Sequence, residues 1–145
     1  MPFYARFAAT LNQYFPEVGN ELVAFLLNEF ESITDQQEAI SPQAKIKNVR
    51  FIGELVKFRL IGTTHALDCL KKCLDNFIGS NIDLVSNLLE TAGPFLVNSL
   101  DEAVRLRVQN LLDYMWRLKE KETMSSMQSN SLESSYYLCR PEKNP

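Results

Sequence analysis

The stretch Asn48-Val49-Arg50-Phe51-Ile52-Gly53-Glu54-Leu55-Val56-Lys57-Phe58-Arg59-Leu60 reads as one helix. Its apolar residues sweep roughly two thirds of the circumference, and a narrow polar stripe of Lys47, Arg50, Glu54 and Lys57 remains. A helix this apolar belongs at the centre of a helical stack. Gly53 in its interior costs about 1 kcal/mol relative to alanine, which makes sense where a neighbouring helix crosses close to the backbone.

Working upstream, Ser41 followed by Pro42 supplies an N-cap and a first-turn proline that open this third helix. It is expected to run to about Ile61, with Gly62 as a left-handed stop. Before it, a helix from Phe3 to Phe15 places Phe3, Phe7, Ala8, Leu11 and Tyr14 or Phe15 along one face. Pro16 stops that helix and opens a second, which carries Val18, Leu22, Phe25, Leu26, Phe30 and Ile33 and fades through polar Thr34 to Glu38.

Downstream, Thr63 or Thr64 caps a fourth helix bearing Ala66, Leu67, Leu70, Cys73, Leu74 and Phe77, ended by Gly79. The fifth begins near Asn81 with Val85, Leu88, Leu89, Ala92 and Leu96. Pro94 predicts a kink or break at Ala92 to Phe95, because proline removes a donor and crowds the carbonyl of Glu90. Ser99-Leu100-Asp101-Glu102 fits a capping box for a sixth helix with Val104, Val108, Leu111, Leu112, Met115 and Leu118, fraying near Glu122. Serine dominates Ser125 to Ser135, which reads as a linker. Ser131 to Cys139 is a candidate short terminal helix, with Leu132, Tyr136 and Tyr137 docking back.

The odd-numbered helices start near residues 3, 42 and 81, a spacing of 39. Helix pairs recurring at about that interval are the signature of a HEAT-like solenoid, although short-turned hairpins also describe an ordinary bundle. The expected architecture is all-α, about three stacked antiparallel hairpins over residues 1–122, with a linker segment over 123–145.

Composition narrows the chemistry. A formal charge of −3 gives no chain-wide cationic field for nucleic acid or an anionic membrane. The longest apolar run, Leu22 to Leu27, is far short of the roughly 20 residues that span a bilayer, so a soluble intracellular protein is expected. Cys69, Cys73 and Cys139 form no Cys-x-x-Cys and no disulfide-framework spacing and favour a reducing compartment. His65 is the only histidine, and the five glycines make no phosphate-binding loop. No cofactor or metal site is expected.

Each residue with chemical potential also has a plainer reading. Cys69 and Cys73 share a helical face, but without a second ligand pair they read as small buried hydrophobes. Glu54 lies between Arg50 and Lys57 at salt-bridge spacing, which suits a solvated ladder better than a general acid, and no nucleophile stands beside a base. Lys45, Lys47, Arg50, Lys57 and Arg59, interleaved with Phe51 and Phe58, form the best cationic stripe. Of these, Lys47, Arg50 and Lys57 are the candidates for a partner contact or weak RNA contact. Three phosphate contacts would give a salt slope of only about −2. Tyr114 and Trp116 are aromatics that either form a groove or cap the stack.

The run Phe51-Ile52-Gly53-Glu54-Leu55, with Lys57 and a hydrophobic stretch after it, resembles the hallmark of the middle domain of translation initiation factor 4 gamma, a HEAT-type scaffold family. Three further stretches resemble the second middle domain of the nonsense-mediated mRNA decay members. They are Phe3-Tyr4-Ala5-Arg6 with Ala9-Thr10-Leu11, Leu88-Leu89-Glu90-Thr91-Ala92-Gly93 with Phe95-Leu96, and Tyr136-Tyr137-Leu138-Cys139-Arg140-Pro141. Pro94 departs from the basic residue expected after that glycine.

The resemblance implies a non-enzymatic, cytoplasmic scaffold module of an mRNA surveillance complex, meeting its protein partners mostly through other domains of a longer protein. Contacts to a surveillance helicase and an RNA-recognition-motif partner lie outside the matched region, so no partner residue is carried over. The alternative is a translation-initiation scaffold that binds a DEAD-box helicase and RNA, against which the acidic balance and Leu89-Glu90-Thr91-Ala92-Gly93 count. A complete domain of the family has about five helix pairs. Three pairs would be its C-terminal part, leaving Phe3, Phe7, Leu11 and Phe25 facing water and the chain prone to self-association. Exposing four such side chains forfeits on the order of 6 to 12 kcal/mol, comparable with the stability of a whole domain.

Overall fold

In the computed structural model, which describes residues 2–35 and 40–145, Ser41 caps the third helix with its side chain accepting from the Ala44 N–H at 3.2 Å, and Pro42 opens it. The helices are α1 (Pro2–Tyr14), α2 (Pro16–Asp35), α3 (Pro42–Lys57), α4 (Thr63–Asp75), α5 (Ser80–Val97), α6 (Glu102–Lys121) and α7 (Ser126–Cys139), followed by a 3₁₀ turn at Pro141–Lys143. No strand occurs among the described residues.

The helices form two rows. In one, α1 packs on α3, α3 on α5 and α5 on α7; in the other, α2 packs on α4 and α4 on α6. The first three helices of the former row start at Pro2, Pro42 and Ser80, close to the 39-residue beat of the sequence. This is a HEAT-like solenoid, and α7 extends its first row by one helix. The core is continuous along the stack, from Phe30 and Ile33 through Ile52, Leu55, Leu67, Leu84 and Leu88 to Leu112 and Leu132.

Gly53 lies where α3 crosses α5. A Cβ added there would meet Thr91 Cβ at 2.7 Å and collide with Thr91 Oγ1. One repeat later Gly93 does the same for the α5–α7 crossing, where a Cβ would run into Cys139 Sγ. The row is therefore held at backbone-to-side-chain distance, which only glycine permits at Gly53, while at Gly93 the obstacle is the tip of one side chain.

Several helix ends differ from expectation. α3 stops at Lys57, and the left-handed residue is Arg59 (φ 64°), not Gly62. The Leu60 N–H reaches the Leu55 carbonyl at 2.9 Å and the Arg59 N–H reaches Val56 at 3.0 Å, so the turn closes as a Schellman motif with arginine where glycine is usual. Gly62 is instead the N-cap of α4, which has no side-chain cap; neither Thr63 nor Thr64 fills that role. Gly79 does take a positive φ of 54°, but as the residue that opens α5, since α4 has already ended at Asp75. The α6 cap is Asp101, accepting from the Ala103 N–H at 2.9 Å, rather than Ser99.

Pro94 does not break α5. It stands in the last turn, where few bonds remain to lose, and its carbonyl accepts from the Asn98 N–H and side-chain amide. Thr34, read as part of a polar fade, is buried in α2 with its hydroxyl donating to the Phe30 carbonyl at 3.1 Å; the rest of that fade, 36–38, lies outside the described residues. The serine-rich stretch is not a linker. Ser125 and Gln128 form a capping box, and the helix they open buries Leu132, Ser135, Tyr136 and Cys139 against the stack.

A left-handed arginine is strained by roughly 1 kcal/mol relative to glycine. Arg59→Gly is expected to raise stability by about 1 kcal/mol, read as a higher urea midpoint with unchanged slope. A lower midpoint would mean that the Arg59 side chain contributes more to the fold than its backbone costs.

Candidate functional site

Among the described residues, no further helix packs on the outer side of the α1–α2 flank. α1 buries only the small side chains Ala5 and Ala8 against the core, so its larger residues point outward. Phe3, Phe7 and Tyr14 fall on one helical stripe, at 73%, 57% and 74% exposure. Tyr4, Phe15, Val18 and Phe25 are also exposed, while Leu11 and Leu22 are half-buried beneath them. Tyr4 was not singled out from sequence, since it sits off the stripe; its ring meets Phe3 edge to face at 5.6 Å. At about 200 Å² per aromatic side chain, the six exposed rings present on the order of 700 Å² of apolar surface. Summed over rings on the stripe and off it, that total is large beside the roughly 300–600 Å² patch of an ordinary monomer.

The cationic stripe is much weaker than its sequence suggested. Lys45 is buried, with Nζ donating to Ser80 Oγ at 3.0 Å, and so leaves the stripe. Arg50 reaches across to α5, donating to Asn87 Oδ1 at 2.8 Å and Glu90 at 3.1 Å, instead of pairing with Glu54 along its own helix. Glu54 is buried rather than solvated and pairs with Lys57 at 2.8 Å. Lys47 is exposed and has no ion pair among the described residues. Two of the three candidate cations therefore already face carboxylates.

The remaining candidates are structural. Cys69 and Cys73 are buried and free. Burial, with Glu31 and Asp68 nearby, pushes the Cys69 thiol up to about 12, and burial likewise takes Cys73 to about 12; such thiols stay protonated and unreactive. His65 is exposed at the start of α4. No three His, Cys, Asp or Glu side chains converge for a metal among the described residues. Trp116 packs against Tyr136 at 4.6 Å and Tyr137 at 6.1 Å, with Lys119 over its ring, and the Tyr114 hydroxyl donates to Asp75 at 3.2 Å. These aromatics hold α6 to α7 and α4.

Arg140 clamps α7 from the far end. Buried beside the Tyr136 ring, it donates from Nε to Gln109 Oε1 at 2.7 Å, from Nη1 to Asp113 and the Tyr136 hydroxyl at 2.8 Å, and from Nη2 to the Gln109 carbonyl at 3.0 Å. Burial alone would lower its pKa, but the bonds to Asp113 and Tyr136 outweigh it and the pKa is raised. No periodicity announces this residue, because its partners lie about thirty positions upstream.

The family model described as the MIF4G domain matches residues 1–142. The chain is 40% identical over 141 residues to "Regulator of nonsense transcripts UPF2" of Arabidopsis thaliana and 36% identical over 141 residues to "Regulator of nonsense transcripts 2" of Homo sapiens. It is 26% identical over 143 residues to "Nonsense-mediated mRNA decay protein 2" of Schizosaccharomyces pombe. These alignments cover 97%, 97% and 99% of the chain but only 12%, 11% and 13% of the respective relatives.

Proposed function

The chain belongs to the MIF4G domain family, and from that membership we propose that it is a non-enzymatic scaffold module of a nonsense-mediated mRNA decay regulator. The reading draws on relatives whose names place them in that process and on cysteines that are buried and stay protonated. The single structural observation that carries it is the exposed aromatic flank of α1 and α2.

On this reading the three hairpins and α7 are the C-terminal part of a middle domain, and the flank takes up another antiparallel hairpin. In its absence the flank drives self-association. The module sets the spacing of the binding domains around it in a cytoplasmic surveillance complex, and its protein partners are met mostly elsewhere in a longer protein. No helix among the described residues is long and apolar enough to cross a membrane.

Lys47, Arg50 and Lys57 are at most a weak, sequence-blind RNA contact. With Arg50 and Lys57 paired to Glu90 and Glu54, little charge is left for phosphate. Single-stranded RNA binding is expected to follow a log–log salt slope shallower than about −1. Capture assays with surveillance and translation DEAD-box helicases complete the test. Tight stoichiometric capture of a translation helicase, or an RNA slope of about −2 or steeper, would replace the decay scaffold with a translation-initiation scaffold.

A further inference from the structure

Two turns on one edge of the solenoid, 58–62 between α3 and α4 and 98–101 between α5 and α6, line an open cleft of about 730 Å³. It is separate from the α1–α2 flank and shares no residue with Lys47, Arg50 or Lys57. Its lining is apolar where it meets the core: Val56 and Ile61 are buried, and Pro94 and Phe95 are half-buried. Leu100 stands at its rim with 98% of its surface in water, a position that the interior of the fold does not explain.

The two turns carry opposite charges, Arg59 on the α3–α4 turn and Asp101 on the α5–α6 turn. Arg59 is exposed and has no ion pair or side-chain hydrogen bond among the described residues. Gly62 and Thr63, at the uncapped start of α4, add positive potential beside it. The one carboxylate in the lining, Asp101, keeps its charge on the opposite turn, where it caps α6 by accepting from the Ala103 N–H. In a chain whose net charge is negative, this lip presents an available guanidinium over an apolar floor. That pairing suits a large apolar side chain with a carboxylate next to it, since a guanidinium takes a carboxylate through two parallel N–H bonds.

We propose that this cleft docks a short acidic–apolar peptide segment of a partner protein. The apolar side chain enters between Ile61 and Phe95, and its neighbouring carboxylate is held by Arg59. Backbone strain at Arg59 makes the assignment unusually testable, because removing the side chain relieves the fold while disarming the cleft.

The test is fluorescence anisotropy of the full chain with a set of short labelled peptides in which aspartate or glutamate adjoins leucine, phenylalanine or tryptophan. Matched sets carry the amide in place of the acid, or serine in place of the apolar residue. Saturable binding of the acidic–apolar set is expected, weakened about tenfold or more by the amide, as loss of a charge-assisted hydrogen bond implies, and by serine through lost apolar burial. Arg59→Gly is expected to weaken binding about tenfold while its urea midpoint rises or holds, which separates recognition from folding; Leu100→Ser, at an exposed rim position, provides an independent second variant expected to weaken it. Absence of binding by any acidic–apolar peptide overturns the proposal. So does indifference to the amide replacement or to Arg59→Gly, or an Arg59-dependent preference for an oligouridine probe over the peptides.

Discussion

Gly53→Ala is expected to destabilise the chain by about 1 to 2 kcal/mol, lowering its melting temperature by roughly 3 to 6 °C, although alanine is the better helix former. Helix propensity alone favours alanine by about 1 kcal/mol. Against that, the new methyl group would sit 2.7 Å from Thr91 Cβ, which no rotamer change can move away. Thr91 is itself fixed, its hydroxyl donating to the Asn87 carbonyl at 3.0 Å and the Leu88 carbonyl at 3.1 Å. The helices must therefore separate, and overpacking of this kind costs about 1 to 3 kcal/mol or more. Thermal and urea unfolding of Gly53→Ala, Thr91→Gly and the double variant check it. The double variant should regain part of the loss, giving a coupling of at least about 1 kcal/mol. A neutral or stabilising Gly53→Ala would show that α3 and α5 do not cross there.

Arg140→Ala is expected to cost about 3 kcal/mol and to release α7 before the rest of the stack. Removing the guanidinium abandons four hydrogen bonds and leaves the buried Tyr136 hydroxyl and the Gln109 carbonyl without that donor. The ion pair adds less than a fully buried one would, because the Asp113 side chain is 55% exposed and water screens it. Arg140→Lys keeps the charge but loses the fork, so it should recover less than half of the loss. Amide hydrogen exchange locates the effect: faster exchange across Ser126–Cys139 with α3 unchanged is expected. Uniform acceleration through all helices would mean that α7 is part of one indivisible unit, and no acceleration would mean that Arg140 is not a clamp.

The fold was legible where a helix carries its own instructions. Ser41-Pro42 capped and opened α3 as read, and the apolar positions of α4, α5 and α6 are the ones that meet the core. Gly53, a local liability, correctly pointed to a close neighbour. Legibility failed where the decisive partner is distant in sequence. Arg50 and Glu54 have ideal spacing for each other, yet Glu90 on the next helix of the row takes Arg50, while Glu54 is buried against Lys57. Lys45 reads as a surface cation but is folded inward to Ser80, thirty-five residues on.

The candidate terminal helix Ser131 to Cys139 is there, but α7 starts earlier, at Ser126, in what reads as a linker, and the cause of that misreading is compositional. Six of the eleven residues from Ser125 to Ser135 are serine, which weakens intrinsic helix preference and suggests a flexible linker. The helix nevertheless needs only a narrow buried line, Leu132, Tyr136 and Cys139, because α5 presents Gly93 and allows close approach. Helix ends were missed for a related reason. The end of α3 uses arginine in a left-handed turn because Leu60 and Ile61 are drawn into the core side, which a residue-by-residue search for glycine cannot detect. The candidate flank, by contrast, was visible in outline: Phe3, Phe7 and Phe25 lie in the open as the partial-domain reading anticipates, whereas Leu11 is partly covered.

The open aromatic flank of the solenoid is best tested by hydrophobic-dye fluorescence of the folded chain, measured beside its Phe7→Glu/Phe25→Glu double variant at matched helical circular dichroism. Bright, saturable dye binding by the parent chain, largely lost in the double variant, is expected. A dim parent chain, or dye binding that the two substitutions leave untouched, would contradict a flank built to receive another hairpin.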